Sequence, residues 1–203
     1  LDGPVAFWTN LLVEDGIHRN TLYQRDNPLQ NAIIDLPDFD QKGLWTEKYA
    51  ERLAKLEAQR EIVEEVQNTL QQIQTEGTKA DYNLKVYDQV GNLVDYNIRL
   101  MQTLNAFDIA QTDTEEEKAL ETLNEMKAEF NQVRVKFEEV YSETRILNKP
   151  ENYILDQDHH RHPANQTVNF DWQFTSELML LQKIDKHFKT RSILMEGTKT
   201  RMK

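Results

Sequence analysis

Four runs of apolar residues, spaced alternately three and four apart, constrain this chain more than any other feature. The first holds Tyr49, Leu53, Leu56, Val63, Val66, Leu70 and Ile73 on one face of a helix that should begin near Thr46. Thr46 suits an N-cap, Glu47 follows where the helix dipole favours an anion, and Gly77 suits a C′ stop. Arg60 is the one break in the series. The second run, from about Thr78 to Ala110, carries Ala80, Leu84, Tyr87, Gly91, Val94, Ile98 and Met101, widened by Val90, Leu93, Leu100, Leu104 and Phe107. A stripe that wide calls for burial on more than one side, and a glycine inside it points to close approach of a neighbouring helix or a slight bend. The third opens on Thr114-Glu115-Glu116-Glu117, read as a capping box, and continues through Ala119, Leu123, Met126, Phe130, Val133, Phe137 and Val140 until the pattern fades after Ile146-Leu147. The fourth starts near Phe170 or Asp171 and carries Phe174, Leu178, Leu181, Ile184 or Asp185, and Phe188, with Trp172 near its head.

Together these runs predict an all-α fold, an up-down helical bundle of three to four long helices. Short connections make the first three antiparallel neighbours, and the fourth closes them across a longer crossover. A three-helix coiled-coil-like bundle with an appended helix is the alternative packing. No internal repeat on the order of 20–50 residues is apparent, which argues against a solenoid. Residues 1–45 read as an irregular segment packing on the bundle, 46–196 as the bundle and 197–203 as a disordered tail. Within the first segment, Val5 to Val13 suit a short apolar helix, and Gly16, Asn27-Pro28, Pro37-Asp38 and Gly43 punctuate a long connection. Ile33-Ile34-Asp35-Leu36-Pro37 suits a short extended piece or an apolar strap lying over a helix, and the strap is favoured since no partner strand is evident.

A chain of 203 residues is long enough to bury a core without cross-links, and it has no cysteine to make any. With 24 Lys and Arg against 35 Asp and Glu, the formal charge is −11, which opposes a nucleic-acid partner. No stretch approaches the roughly 20 apolar residues of a membrane span. The opening Leu1-Asp2-Gly3-Pro4 has no initiator Met, no basic n-region and no apolar h-region, so the chain reads as a processed product or, the favoured reading, a domain excised from a larger protein.

The main place for chemistry is the polar segment between the third and fourth runs. Asp156, Asp158, His159, His160 and His162 lie there, with Trp172 just beyond, as candidate ligand- or interface-organising residues. Adjacent His159 and His160 point to opposite sides in an extended chain, whereas His160 and His162 can converge. The plainer reading is a polar crossover whose side chains cap helices or face water, and no metal or other cofactor is expected. Glu-x-x-His and His-Glu-x-x-His pairs are missing, as are the nucleophile-elbow and phosphate-loop glycine motifs, so no catalytic residue is assigned. His187 reads as a dipole partner near the end of the last helix. Trp8, Tyr23, Trp45, Tyr153 and Trp172 lie outside the long stripes, where they either pack loops on helices or line a carbohydrate-facing surface.

Three stretches carry a resemblance. They are Asp26-Asn27-Pro28 with Ile34 to Asp38 and Gly43-Leu44-Trp45; Glu143 to Asp156; and Asp158 to Thr167 leading to Asp171-Trp172. Together they resemble the helical region after the catalytic barrel in Bacteroides-type β-N-acetylhexosaminidases of glycoside hydrolase family 20. Enzymes of that family remove terminal N-acetylhexosamines with an Asp-Glu pair on the barrel and the substrate's own acetamido group as nucleophile. That pair does not lie in this chain. The resemblance therefore implies a non-catalytic accessory domain of a secreted glycoside hydrolase, periplasmic or extracellular. It would serve in packing on the preceding catalytic domain of the same polypeptide, in homo-oligomerisation or in shaping the cleft. A free-standing helical interaction or sensor-type bundle is the alternative.

Overall fold

A computed structural model describes residues 33–75, 81–147 and 174–201. Its elements are α1 (Leu44–Lys48), α2 (Ala50–Thr75), α3 (Asp81–Ile109), α4 (Asp113–Ser142) and α5 (Thr175–Arg201), with no β-strand among the described residues. The all-α expectation therefore holds.

Side-chain pairings give the directions of the helices. Lys85 meets Glu143, Arg99 meets Glu129 and Thr103 meets Met126, so partners recede along α4 as they advance along α3. Gln67 with Asn92 and Glu57 with Gln102 show the same for α2 and α3. Phe137 with Phe174 and Lys127 with Asp185 show it for α4 and α5. Each of the four long helices, α2 to α5, is antiparallel to the one before it, the up-down order expected of short connections.

The stripes become the core. Ala119, Leu123, Met126, Phe130, Val133 and Phe137 of α4 and Val94, Tyr96, Ile98, Leu100, Met101 and Leu104 of α3 are all buried, and all but Ala119 belong to one core cluster. Phe130 packs between Tyr96 and Phe174 at ring separations of 5.2 and 5.8 Å, which ties three helices together. On α5, Ile184 is buried, whereas Asp185 turns aside to pair with Lys127 and Lys189, which hold its carboxyl below the usual range. Gly91 admits a close approach, since a Cβ there would meet the Gln67 side chain of α2 at 3.2 Å. The strap is also found. Ile33 and Ile34 are fully buried in the core, and Ile33 has extended, bridge-forming backbone.

Several local expectations are corrected. Thr46 caps nothing: the first helical stretch starts after Gly43, whose φ of 85° turns the chain, and it breaks at Tyr49 before α2 begins. The cap of α4 is Thr112 rather than Thr114. The Thr112 hydroxyl accepts from the Glu115 N–H, and the Glu115 carboxylate accepts from the N–H groups of both Thr112 and Gln111. Two Thr-x-x-Glu frames overlap here, and the earlier one wins because its glutamate also serves Gln111 at the end of the tight α3–α4 turn. Helix α4 ends at Ser142, before the Ile146-Leu147 limit, and Ile146 is exposed. Tyr87 faces out, 54% exposed, while its neighbour Asp88 is half-buried and has its pKa raised by burial. The backbone of α5 stays helical through Arg201, beyond Gly197, where a disordered tail was expected. One glycine costs about 1 kcal/mol, too little to end a helix unaided. The Val5–Val13 helix, the Gly77 stop and the exact start of the fourth run near Phe170 lie outside the described residues.

Candidate functional site

Two features of the bundle combine unusual polarity with shape: the end where residues 33–49 dock, and a groove between α3 and α4.

At the docked end, the last turn of α3 holds α1. Asp108 is fully buried, and its Oδ2 accepts from the Thr46 N–H at 2.8 Å and the Thr46 hydroxyl at 2.7 Å. Thr46 is the third residue of α1, so Asp108 performs from a distant helix the task an N-cap side chain performs locally. The Gly43 N–H donates to the Asp108 carbonyl at 3.2 Å. Lys42 Nζ donates to the Phe107 carbonyl at 2.8 Å, pairs with Glu116 at 3.1 Å and lies 3.8 Å from the Phe107 ring centre, a cation–π contact. One turn upstream, Trp45 Nε1 donates to the Asp35 carbonyl at 2.7 Å, the Asp35 N–H donates to the Tyr49 hydroxyl at 3.1 Å, and Lys48 pairs with the Asp35 carboxylate. Phe39 stacks on His187 at 4.8 Å and meets Phe107 and Phe188 edge-on, while His187 Nε2 lies 2.9 Å from the Pro37 carbonyl, close enough to donate to it.

The groove runs along α3 and α4 and encloses about 600 Å³. Ala106, Ile109, Ala119 and Met126 supply apolar lining, with Arg60 and Arg99 also along it. The Arg99 guanidinium is already engaged. It binds Glu129 with two N–H groups and donates from Nε to Asp95 at 2.6 Å. This fork-to-carboxylate pairing raises the Arg99 pKa further and lowers that of Glu129. The Thr103 hydroxyl donates to the Arg99 carbonyl at 2.8 Å. With Arg99 already paired, the apolar part of the lining suits an apolar side chain.

Of the residues singled out from sequence, Asp156, Asp158, His159, His160, His162 and Trp172 lie outside the described residues, as do Trp8, Tyr23 and Tyr153. Among the described residues, no group of three or more His, Asp or Glu side chains is placed to hold a metal ion. Trp45 is buried and hydrogen-bonded, so it packs the strap and presents no face to a sugar. His187 is corrected from helix-end dipole partner to strap anchor, because α5 continues well past it. Sequence reasoning missed Lys42, Asp108 and the buried pair Asn97 and Glu177. Asp108 was legible only as a charge one residue beyond the apolar Phe107, close to a helix end.

No helix among the described residues is long and apolar enough to cross a membrane. No protein-family model, curated protein or solved structure matches the chain.

Proposed function

We propose that this chain is a non-catalytic helical packing domain. The observation that carries the reading is the docked strap. Ile33 and Ile34 are fully buried, and the backbone carbonyls of Asp35 and Pro37 meet side chains of α1 and α5. A chain threaded into the core this way is anchored to the bundle at residues 33–37, unlike a flexible linker. The sequence resemblance supplies the neighbour: the catalytic barrel of a family 20 glycoside hydrolase acting on N-acetylhexosamine-containing glycans outside the cytoplasm. In this reading the bundle packs on the barrel, supports oligomerisation or shapes one wall of the cleft.

The groove beside Arg99 favours a second reading, a free-standing helical bundle that binds a partner protein through an apolar side chain. Determining the complete reading frame separates the two. A barrel bearing an Asp-Glu pair, encoded directly upstream in the same polypeptide, supports the accessory domain. A frame that opens just before residue 1, with no barrel, overturns it. The isolated chain is expected to release no chromophore from an aryl N-acetylglucosaminide, and turnover would refute the non-catalytic reading.

A further inference from the structure

Glu177 lies in the first turn of α5, yet it is only 4% exposed, and it faces Asn97 of α3, 3% exposed. Asn97 Nδ2 donates to Glu177 Oε1 at 3.3 Å, while Asn97 Oδ1 is buried with no hydrogen-bond donor among the described residues. An ionised carboxylate only accepts, so it cannot serve that oxygen. A neutral carboxylic acid can. Facing a primary amide, it closes a cyclic pair in which the amide N–H donates to one acid oxygen and the acid O–H donates to the amide oxygen. An orphaned Oδ1 is costly in a buried site, so the cyclic pair is strongly favoured there.

We propose that Glu177 is held as the neutral acid in a cyclic pair with Asn97, and that its ionisation at rising pH loosens the first turn of α5 from α3. The bundle then carries a latch that weakens toward alkaline pH.

The described surroundings offer Glu177 no counter-charge. On α3, Arg99 is taken by Glu129 and Asp95, and the Tyr96 hydroxyl donates to the Met126 carbonyl at 3.2 Å. On α4, Glu129 is bound to Arg99, and Lys127 pairs with Asp185 farther along α5. Burial raises the Tyr96 pKa, the Glu129 carboxylate raises it further, as does Glu177 once ionised, and the already engaged Arg99 pulls the other way. Burial likewise raises the Glu177 carboxyl, while its own backbone N–H and the Asn97 amide pull the other way.

The sign of the pH effect follows from linkage. In the unfolded chain Glu177 loses its proton near the ordinary glutamate value of about 4.3. The folded chain keeps that proton to higher pH. Between the two values the native state binds more protons, so stability falls as pH rises, by up to about tenfold in the folding constant per pH unit, and levels off above the folded value.

Glu177→Gln keeps the geometry, because the glutamine Nε2 donates to Asn97 Oδ1 and its carbonyl accepts from Nδ2, with no proton to lose. Urea unfolding of both proteins from about pH 4 to about pH 9 spans the window. The ratio of wild-type to variant folding constants is expected to fall with pH, and a ratio constant across the range overturns the latch. A 13C NMR titration of the Glu177 carboxyl in the wild-type chain tests the same point without any variant. The carboxyl should remain protonated well above the ordinary glutamate range, and titration within that range refutes the proposal. Neither measurement depends on whether the domain belongs to a glycoside hydrolase.

Discussion

The seam between α3 and α4 is apolar and repetitive, with Tyr96, Leu100 and Leu104 on one helix meeting Met126, Phe130 and Phe137 on the other. The end where residues 33–49 dock adds, to the burial of Ile33, Ile34 and Trp45, single polar contacts between residues 59 to 150 positions apart, such as Thr46 with Asn105 and Asp108, Lys42 with Phe107, and His187 with Pro37. In the seam each side chain adds a similar increment, and a lost one is shared among neighbours. At the docked end each contact is a particular donor on a particular acceptor, and removing one strands its partner. The seam should therefore set global stability, and the end should set whether the strap stays down.

Truncating the seam is the largest test of that contrast. Phe130→Ala removes a ring that touches both Tyr96 and Phe174, at a site 1% exposed. It should cost about 3–5 kcal/mol in urea unfolding, with all probes moving together. A variant that loses the strap first, with helices intact, would show that the two regions are less separate than their chemistry suggests.

Asp108→Ala addresses the other side. It leaves the Thr46 N–H without the fully buried carboxylate that accepts from it, while the Thr46 hydroxyl keeps Asn105 Oδ1 at 2.9 Å. The expected loss is about 2 kcal/mol, the scale of a charged hydrogen bond combined with a helix cap. Amide exchange should accelerate over residues 33–49 while α4 stays protected, a local opening rather than global unfolding. Uniform acceleration throughout the bundle would erase the distinction.

The same contrast explains what the sequence made legible. The helices and their inward faces were readable because a stripe repeats, so one misplaced residue such as Tyr87 leaves the pattern intact. The strap was readable as apolar, but its anchors were not. Nothing near Asp108 in the sequence indicates that it will meet Thr46, and Thr46 itself carried a plausible local role as a cap. Glu177 looked like an ordinary acid in the first turn of a helix, where the dipole welcomes it, and only the packing of α5 on Asn97 reveals its burial. The histidine-rich crossover lacks periodicity altogether, so pattern reasoning could name its residues without placing them.

The turn between α3 and α4 joins the two regions, and its cap offers a smaller test. Thr112→Ala removes the acceptor for the Glu115 N–H and should cost about 1 kcal/mol. The Glu115 carboxyl is held below the ordinary range by the Gln111 N–H first and by Thr112 next. A lowered folded pKa contributes stability above the unfolded value of about 4.3, lost as pH falls through the folded value. Acid titration of the unfolding midpoint should show that loss in the wild type. Glu115→Gln should lessen it, and an unchanged acid limb would remove Glu115 from the account.

Gly91→Ala should have the smallest effect, and its sign asks how tightly α2 is packed on the seam. Alanine in place of glycine inside a helix is worth about 1 kcal/mol. Against that, the new methyl would lie 3.2 Å from both Cγ and Nε2 of Gln67, closer than comfortable contact. Gln67 is half-buried and flexible, but its Nε2 donates to Asn92 Oδ1 at 2.9 Å, so it has a few tenths of an ångström to yield before that bond weakens. The balance favours the helix, and the variant should unfold slightly later than wild type, by less than about 1 kcal/mol. If it unfolds earlier, the Gln67–Asn92 contact is as exacting as those at the docked end, and the α2 interface belongs with that region rather than with the forgiving apolar seam.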